Sequence, residues 1–327
     1  MEGLSMTRPE VAAMAEHAIP EWEVAVSAHN EAAHLPACLR ALALAGQGHR
    51  MAVTVLLNGS TDRSPEVAMA AMREAGLRGR VVRIPHADKS NAFNQYAYRL
   101  RGRAPVQVFV DAYATVAPDA LALLAAALRD APAAQAAAAV PSSGPSAPAL
   151  RAQMIEMPGL HGSLFALRGA FLDRFVAAGL RLPLGLYRGD GLLSSLVLHD
   201  LDALGGDWQH ERIVVEPRAT WTAPVVRPWR WRDARRQARR LVQQARGRLQ
   251  WPVVKDRIYD RAAAAGFAAL PPQADEAALA WIAADPARRP SWWKDPFGAL
   301  AVRRMRAAPA APAERDLLPQ VLMETAP

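Results

Sequence analysis

Cysteine is nearly absent, with Cys38 standing alone in 327 residues. A disulfide framework and a cysteine-based zinc site are both excluded, which fits a reducing compartment. Lysine is scarce as well. Lys89, Lys255 and Lys294 are the only three, so the net charge of +8 rests on arginine. A GC-rich coding sequence accounts for such a bias, but arginine excess also favours anionic partners such as phosphates and acidic lipids. No apolar run approaches the roughly 20 residues of a membrane span. The first twenty residues carry Glu2, Arg8, Glu10 and Glu16 and lack the apolar core of a signal peptide. The expectation is a soluble, cytoplasmic protein, with peripheral contact at the inner membrane surface left open. Helix-turn-helix, zinc-finger and RNA-binding signatures are missing, so no nucleic-acid partner is expected. No repeat of solenoid period occurs.

What is present is a globular composition, 51% hydrophobic and 21% charged. Short β-rich runs alternate with helical periodicity. Glu23 to Ala28 reads as a first strand, running into His29-Asn30-Glu31 and then a helix with Leu35, Leu39, Leu42 and Ala43 on one face. Met51 to Leu57 is a second strand, broken at Asn58-Gly59-Ser60-Thr61-Asp62 and followed by a helix from Pro65 to Ala75. Arg80 to Ile84 is a third, with a helix from Asn91 to Leu100 after Asp88-Lys89-Ser90. Val106 to Val110 is a fourth and ends on Asp111. This alternation implies βαβ units, a mostly parallel central sheet flanked by helices, and an α/β, Rossmann-like fold class. Ligands of such sheets sit beyond the carboxyl ends of the strands. Four polar strand ends in succession therefore suggest a nucleotide-sized site, with Asp111 facing a phosphate or a metal that carries one.

The later chain predicts a helix over Pro118 to Leu128, a strand over Gln135 to Val140, and a loop over Pro141 to Pro148 that covers the site or links domains. Met157 to Arg168 reads as a glycine-containing loop entering a strand, with a helix over Ala170 to Ala178. Arg188-Gly189-Asp190-Gly191 precedes an apolar helix from Leu192 to Leu204, and a late strand starts at Arg212. From Arg227 to Arg248 nine arginines stand against one acid, Asp233, with Ala238, Leu241, Val242, Ala245 and Leu249 on one helical face. The expected division is an N-terminal segment, 1–20, a catalytic domain, 21–226, and a basic helical C-terminal extension, 227–327.

The order of these elements resembles the inverting family 2 glycosyltransferases of GT-A fold. VAVSAHNEAAHL, from Val24, is similar to their P-x-Y-N-E turn, and VLLNGSTD, from Val55, to V-V-D-D-G-S-T-D. Asp88 to Asn94 resembles G-K-x-x-A-x-N, and Phe109 to Tyr113 resembles F-L-D-A-D. His161 to Arg168 looks like the acceptor segment, Gly189-Asp190-Gly191 like the E-D base motif, and Gln237 to Leu241 loosely like Q-x-x-R-W. The resemblance implies transfer of a single sugar, hexosyltransferase-like, from a nucleotide sugar to an acceptor hydroxyl on a glycan, lipid or small molecule. Residues 21–115 would hold the donor and 116–226 the acceptor.

Residue by residue, the resemblance implies donor contacts at Ala28, His29, Asn30, Glu31, Asn58, Lys89, Asn94, Asp111, Ala112 and Tyr113. It implies acceptor contacts at His161, Gly162 and Gly189, and Asp190 as the base. Each has a plainer alternative: Asp190 as a helix cap, His29 and Lys89 as solvated loop side chains, His161 as a structural residue or metal ligand. Asn58 replaces an aspartate that would pair with the base. Tyr113 replaces the second carboxylate of D-x-D, which normally holds Mg²⁺ or Mn²⁺; such ions want several oxygens. Either Asp111 holds a divalent metal with few protein ligands, or Arg236, Arg239 and Arg240 meet the diphosphate directly. The basic helix also reads as a solvated face, or as a lipid-binding one through Trp229, Trp231 and Trp251. A nucleotidyltransferase would need a glycine-rich phosphate loop after the first strand, which Ser27 to Glu31 lacks. A degenerate protein that binds a nucleotide sugar as a partner subunit is the other alternative.

Overall fold

The computed structural model describes residues 19–224, 231–260, 262–308 and 312–325. The expected N-terminal segment, 1–20, lies almost wholly outside them. Among the described residues one sheet of nine strands runs through the molecule. Strands β1 (Trp22–Ala28), β2 (Met51–Asn58), β3 (Gly79–Ile84) and β4 (Val106–Asp111) form its parallel heart. β1 lies between β2 and β4, and β3 lies beyond β2. Helices α1 (Leu35–Ala45), α2 (Ser64–Glu74) and α3 (Lys89–Gln95) connect them. The expected alternation of strand and helix is therefore what folds.

Period-two alternation divides the burial. Val24, Val26 and Ala28 of β1 enter one core with Leu35, Leu39 and Leu42 of α1, while Ala25 enters the other with Phe93 of α3. Leu35, Leu39 and Leu42 are fully buried, as an i, i+4, i+7 stripe requires. The third helix runs to Leu100 as expected, but its last turn, Tyr96–Leu100, is π-helical. It seats the Tyr96 hydroxyl on Gln107 Oε1 at 2.6 Å, inside the core.

The second half reverses direction. After β5 (Thr115–Val116), α4 (Ala120–Asp130), β6 (Ala136–Pro141) and α5 (Ala147–Glu156), strand β7 (Leu164–Arg168) pairs antiparallel with β4. Helices α6 (Gly169–Ala177) and α7 (Gly189–Leu198) follow, then β8 (Ile213–Thr222), parallel to β6. Two expectations need correction here. Helix α5 begins inside the expected Pro141–Pro148 loop, because Pro148 fits the first helical turn, where no N–H bond is needed. Helix α7 starts at Gly189 rather than Leu192 and stops at Leu198 rather than Leu204. Asp200 and Leu201 adopt positive φ (49° and 72°), which no helix continues.

The extension is helical, with α8 (Trp231–Ile258), α9 (Ala274–Ala284), α10 (Pro296–Arg306) and α11 (Glu314–Leu317). It also returns a strand that periodicity did not reveal. β9 (Gln320–Glu324) pairs antiparallel with β3, covers its open side and becomes the edge strand of the sheet. Cys38 sits on the buried face of α1, and burial pushes its thiol up to about 12. The native protein should leave a thiol-reactive disulfide reagent unreacted at pH 8. The single thiol should then titrate on unfolding in denaturant; stoichiometric native labelling would contradict this packing.

Candidate functional site

Three strands of the parallel heart end at one edge. His29-Asn30-Glu31 follows β1, Asn58 to Asp62 follows β2, and Asp111-Ala112-Tyr113 ends β4. The first two loops are bound to each other. His29 Nδ1 lies 2.8 Å from the Asn58 carbonyl, and Asn30 Oδ1 accepts the Thr61 and Asp62 N–H groups at 2.8 and 3.2 Å. Asn30 takes positive φ (57°), a conformation asparagine tolerates. Glu31 donates its N–H to Ser64 Oγ at 2.9 Å. Gly59 is also at positive φ, and a Cβ there would stand 2.4 Å from Ala87, so only glycine lets the β2 loop lie against the segment leading to Lys89. Asn58 is buried at the end of β2, Ala28 is buried at the end of β1, and buried Ala112 donates its N–H to the Ser27 carbonyl.

The antiparallel strand brings in the rest. Val110 of β4 faces Leu164 of β7, so the residues just before β7 reach the same edge as Asp111. The Asp111 N–H points at the Ser163 carbonyl, 3.4 Å away. A Cβ built on Gly162 would stand 2.7 Å from Lys89 Nζ, 3.2 Å from Asp111 Oδ2 and 3.6 Å from Asp190 Oδ2. Residues from four separate stretches of chain thus meet at one glycine. Lys89 pairs with Asp111 Oδ1. Burial works against the Lys89 charge, yet Asp111 and Asp190 hold its pKa above the ordinary lysine value. The ammonium is cationic, and the side chain as a whole is about half exposed.

Asp190 stands in the first turn of α7, where the helix dipole favours an anion. Its Oδ2 accepts the Gly162 N–H at 3.2 Å and its Oδ1 accepts the Gly191 N–H at 2.9 Å. It is not the cap of a later helix; Arg188 holds that position. Gly189 has room around it, the nearest side-chain atom to a built Cβ being Ser90 Oγ at 3.6 Å. A cavity of about 100 Å³ opens between Lys89, Asp111 and Asp190 and has an apolar floor that includes Phe93, Phe109 and Phe165.

Tyr113 bonds back to the site. Its hydroxyl donates to Asp111 Oδ2 at 3.1 Å and lies 3.0 Å from Ser163 Oγ. Burial, then the charge of Asp111, raises the phenol above its ordinary pKa, so it is neutral. Both oxygens of Asp111 therefore have protein partners, one of them a cation. Among the described residues no group of three or more His, Cys, Asp or Glu is placed to hold a metal ion. One carboxylate and a neutral phenol do not fit a divalent cation, which wants several oxygen ligands.

His161 stacks on Trp221 at 5.0 Å between ring centroids, because β8 ends beside β6 at this edge. Burial lowers its pKa despite Asp190 and Asp111 nearby; Lys89 and Arg240 push the same way as burial. The charge of Arg240 thus reaches this site. Arg239 is exposed on α8, and the side chain of Arg236 lies outside the described residues. Trp229 and the side chain of Trp231 also lie outside them, and Trp251 packs half-buried against the core.

One expected donor contact has a different setting. Asn94 is buried; its amide donates to the Leu182 carbonyl and accepts the Leu182 N–H, both at 2.9 Å. Two residues that sequence reasoning missed act on the same loop. Asp88 caps α3 by accepting from Asn91 N–H, and accepts the Gly185 N–H with its other oxygen. Gln250 of α8 is fully buried, accepts the Tyr187 N–H at 3.0 Å and donates to the Gly185 carbonyl at 2.9 Å. The loop feeding Asp190 is thus held from both sides. A lone Gln in a basic helix carries no signal of such a partner.

Residues 23–174 match the model of the family described as glycosyl transferase family 2. No curated protein sequence matches the chain. Among solved structures, the mannosyltransferase PcManGT from Pyrobaculum calidifontis, in complex with GDP-Man and Mn²⁺, is 20% identical with a TM-score of 0.55, covering 90% of this chain and 78% of that one. Glucosyl-3-phosphoglycerate synthase from Mycobacterium tuberculosis, with Mn²⁺, UDP-Glc and phosphoglyceric acid, is 19% identical with a TM-score of 0.46, covering 74% and 85%. S. aureus TarS with UDP-GlcNAc is 13% identical with a TM-score of 0.44, covering 88% and 90%.

Two outcomes are expected from this geometry. Asn94→Leu leaves the Leu182 N–H and carbonyl unpaired in the interior, at a cost of roughly 1–3 kcal/mol for each group. Urea unfolding should show the loss; unchanged stability would mean the tie contributes nothing. Folded His161 binds its proton less tightly than an unfolded histidine of about 6.5. Its share of stability is present above that pH and lost as pH falls through the lowered folded value. His161→Gln should flatten the acid side of the stability profile below about pH 6.5, read from urea midpoints at a series of pH values.

Proposed function

Residues 23–174 belong to glycosyl transferase family 2, and from that premise we propose that this chain moves one hexose-type sugar from a nucleotide sugar to an acceptor hydroxyl with inversion. The convergence of Lys89, Asp111 and Asp190 on Gly162 carries the reading. The loops after β1 and β2, with His29, Asn30, Glu31 and Asn58, hold the nucleoside. Asp111, Ala112 and Tyr113 position the ribose and diphosphate, with Asp111 fixed by Lys89 and Tyr113. Residues 21–115 are the donor half, 116–226 the acceptor half, and 227–327 an extension that braces both.

Asp190 is the base. Its carboxylate takes the acceptor proton while the acceptor oxygen attacks the anomeric carbon from the face opposite the nucleotide. The new glycosidic bond forms as the bond to the diphosphate breaks, and the diphosphate leaves with the electron pair. That developing charge needs a cation already in place. Lys89 supplies it, and Arg240 adds its field; both replace what a second D-x-D carboxylate would recruit. The Asp190 carboxylate is aimed by two backbone N–H groups at the start of α7, which orient it without neutralising it. Gly162, Gly189 and His161 border the acceptor. Asn94 acts as a positioning residue through Leu182.

One experiment tests this. Asp190→Asn should lower transfer by about a hundredfold or more, the usual worth of a general base, while calorimetry shows donor affinity nearly unchanged. Proton NMR of the wild-type product should show the inverted anomer, and a chelator should leave donor affinity intact. Wild-type rates in Asp190→Asn would remove it from the mechanism. Donor affinity lost on chelation and restored by Mn²⁺ would return the diphosphate to a metal. Binding without turnover by the wild-type chain would favour a nucleotide-sugar-binding partner subunit.

A further inference from the structure

Two tryptophans in sequence, Trp292 and Trp293, project from the turn before α10. Trp293 is 97% exposed and Trp292 55%, with Phe297 40% exposed beside them. Among the exposed large apolar side chains of the described residues, which include Ile19, Leu44, Met157 and Trp208, Trp293 is the most exposed, and Trp292 and Phe297 lie close to it in sequence. The turn is built rather than loose. The Asp295 N–H donates to the Ser291 carbonyl at 2.8 Å, and Lys294 N–H donates to Ser291 Oγ at 3.1 Å. Asp295 caps α10 through the Gly298 N–H and accepts from Arg248 of α8 at 3.0 Å. The backbone that carries the two exposed indoles is therefore a fixed frame.

The rim of this tip is cationic. Arg289 and Lys294 are exposed and have no acidic partner among the described residues. Arg288 lies over the Trp281 ring at 4.4 Å and pairs with Asp285 at 3.3 Å. No helix among the described residues is long and apolar enough to cross a membrane. Aromatic rings that are apolar on the face and polar at one edge, ringed by unpaired cations, match the interface of an anionic bilayer. A protein-binding face would more often be flat and depleted of lysine.

The tip is also coupled to the site. Gly247 of α8 packs on Tyr187 and Arg188, where a Cβ would stand 2.7 Å from the Tyr187 ring. The next residue, Arg248, holds Asp295. One turn of α8 therefore joins the loop that feeds Asp190 to the tryptophan turn. We propose that Trp292, Trp293 and Phe297, with Arg289 and Lys294, seat the protein on an anionic membrane surface, so that the acceptor hydroxyl belongs to a membrane-embedded amphiphile. The statement about the acceptor rests on the glycosyl-transfer reading; the membrane seat does not.

The test is sedimentation of the full-length chain with vesicles. It should partition onto phosphatidylglycerol-rich vesicles, weakly onto phosphatidylcholine alone, and less as salt is raised. Trp292→Ala with Trp293→Ala should weaken that partition by about tenfold or more, and Arg289→Gln with Lys294→Gln by about tenfold. Both variants should melt like the wild type, since these side chains are exposed, and should bind nucleotide sugars as the wild type does. Absence of wild-type partition, or equal partition by the tryptophan variant, would overturn the proposal. So would loss of self-association in the tryptophan variant without change in vesicle binding, which would make the turn a contact between copies. Normal vesicle binding by a chain that binds no nucleotide sugar would instead sink the transfer reading and leave the membrane seat standing.

Discussion

The antiparallel pairing of β4 with β7 is the constraint on which the site depends. A parallel strand would present its carboxyl end beside Asp111. The reversed strand presents its entrance instead, so His161, Gly162 and Ser163 arrive at the edge where Asp111 stands. Gly162 then does two things that a larger residue could not do undisturbed. Its N–H holds Asp190, and its missing side chain leaves room for Lys89 and Asp111. A single pairing direction thus brings a strand end, a helix start and a loop into one small volume.

Pre-organisation of the second carboxylate comes from polar ties inside the protein rather than from apolar packing alone. Asp88, Asn94 and Gln250 each bond backbone groups of the 182–187 loop, and all three are buried. Buried polar groups of this kind are stabilising only when satisfied, and they fix one loop geometry among many. For the proposed base, Asp190, placement within a fraction of an ångström is worth large factors in rate. The loop is held from α3 on one side and from α8 on the other, so the C-terminal extension helps to fix the position of Asp190.

Charge is where this chain departs from the family motif that Phe109 to Tyr113 resembles. Tyr113 stands where the motif it resembles has a second carboxylate. The phenol bonds Asp111 instead and remains neutral. With one carboxylate fewer, the protein cations at the site have less to neutralise. Lys89, one of only three lysines in the chain, keeps its proton through Asp111 and Asp190. On the proposed reading, the site already contains a cation of its own.

Much of this was legible in the sequence. Strand and helix order through Asp111 and the polar strand ends follow from local periodicity and from residue types at strand ends, because those signals are short-range; the role expected of Asp190 came from the family resemblance. The start of α7 was displaced by three residues, β9 was unseen, and Asn94 looked like a ligand contact. Each of these depends on partners distant in the chain: β9 on the open edge of β3, Asn94 on Leu182, Gln250 on Gly185 and Tyr187. The amino-acid sequence by itself determined the parallel strands β1 to β4 and their polar ends, and set Tyr113 beside Asp111 where the motif it resembles has a carboxylate. The tertiary structure alone decided that Lys89, Asp111, Gly162 and Asp190 share one point, because only strand direction and long-range hydrogen bonds set distances between residues a hundred positions apart.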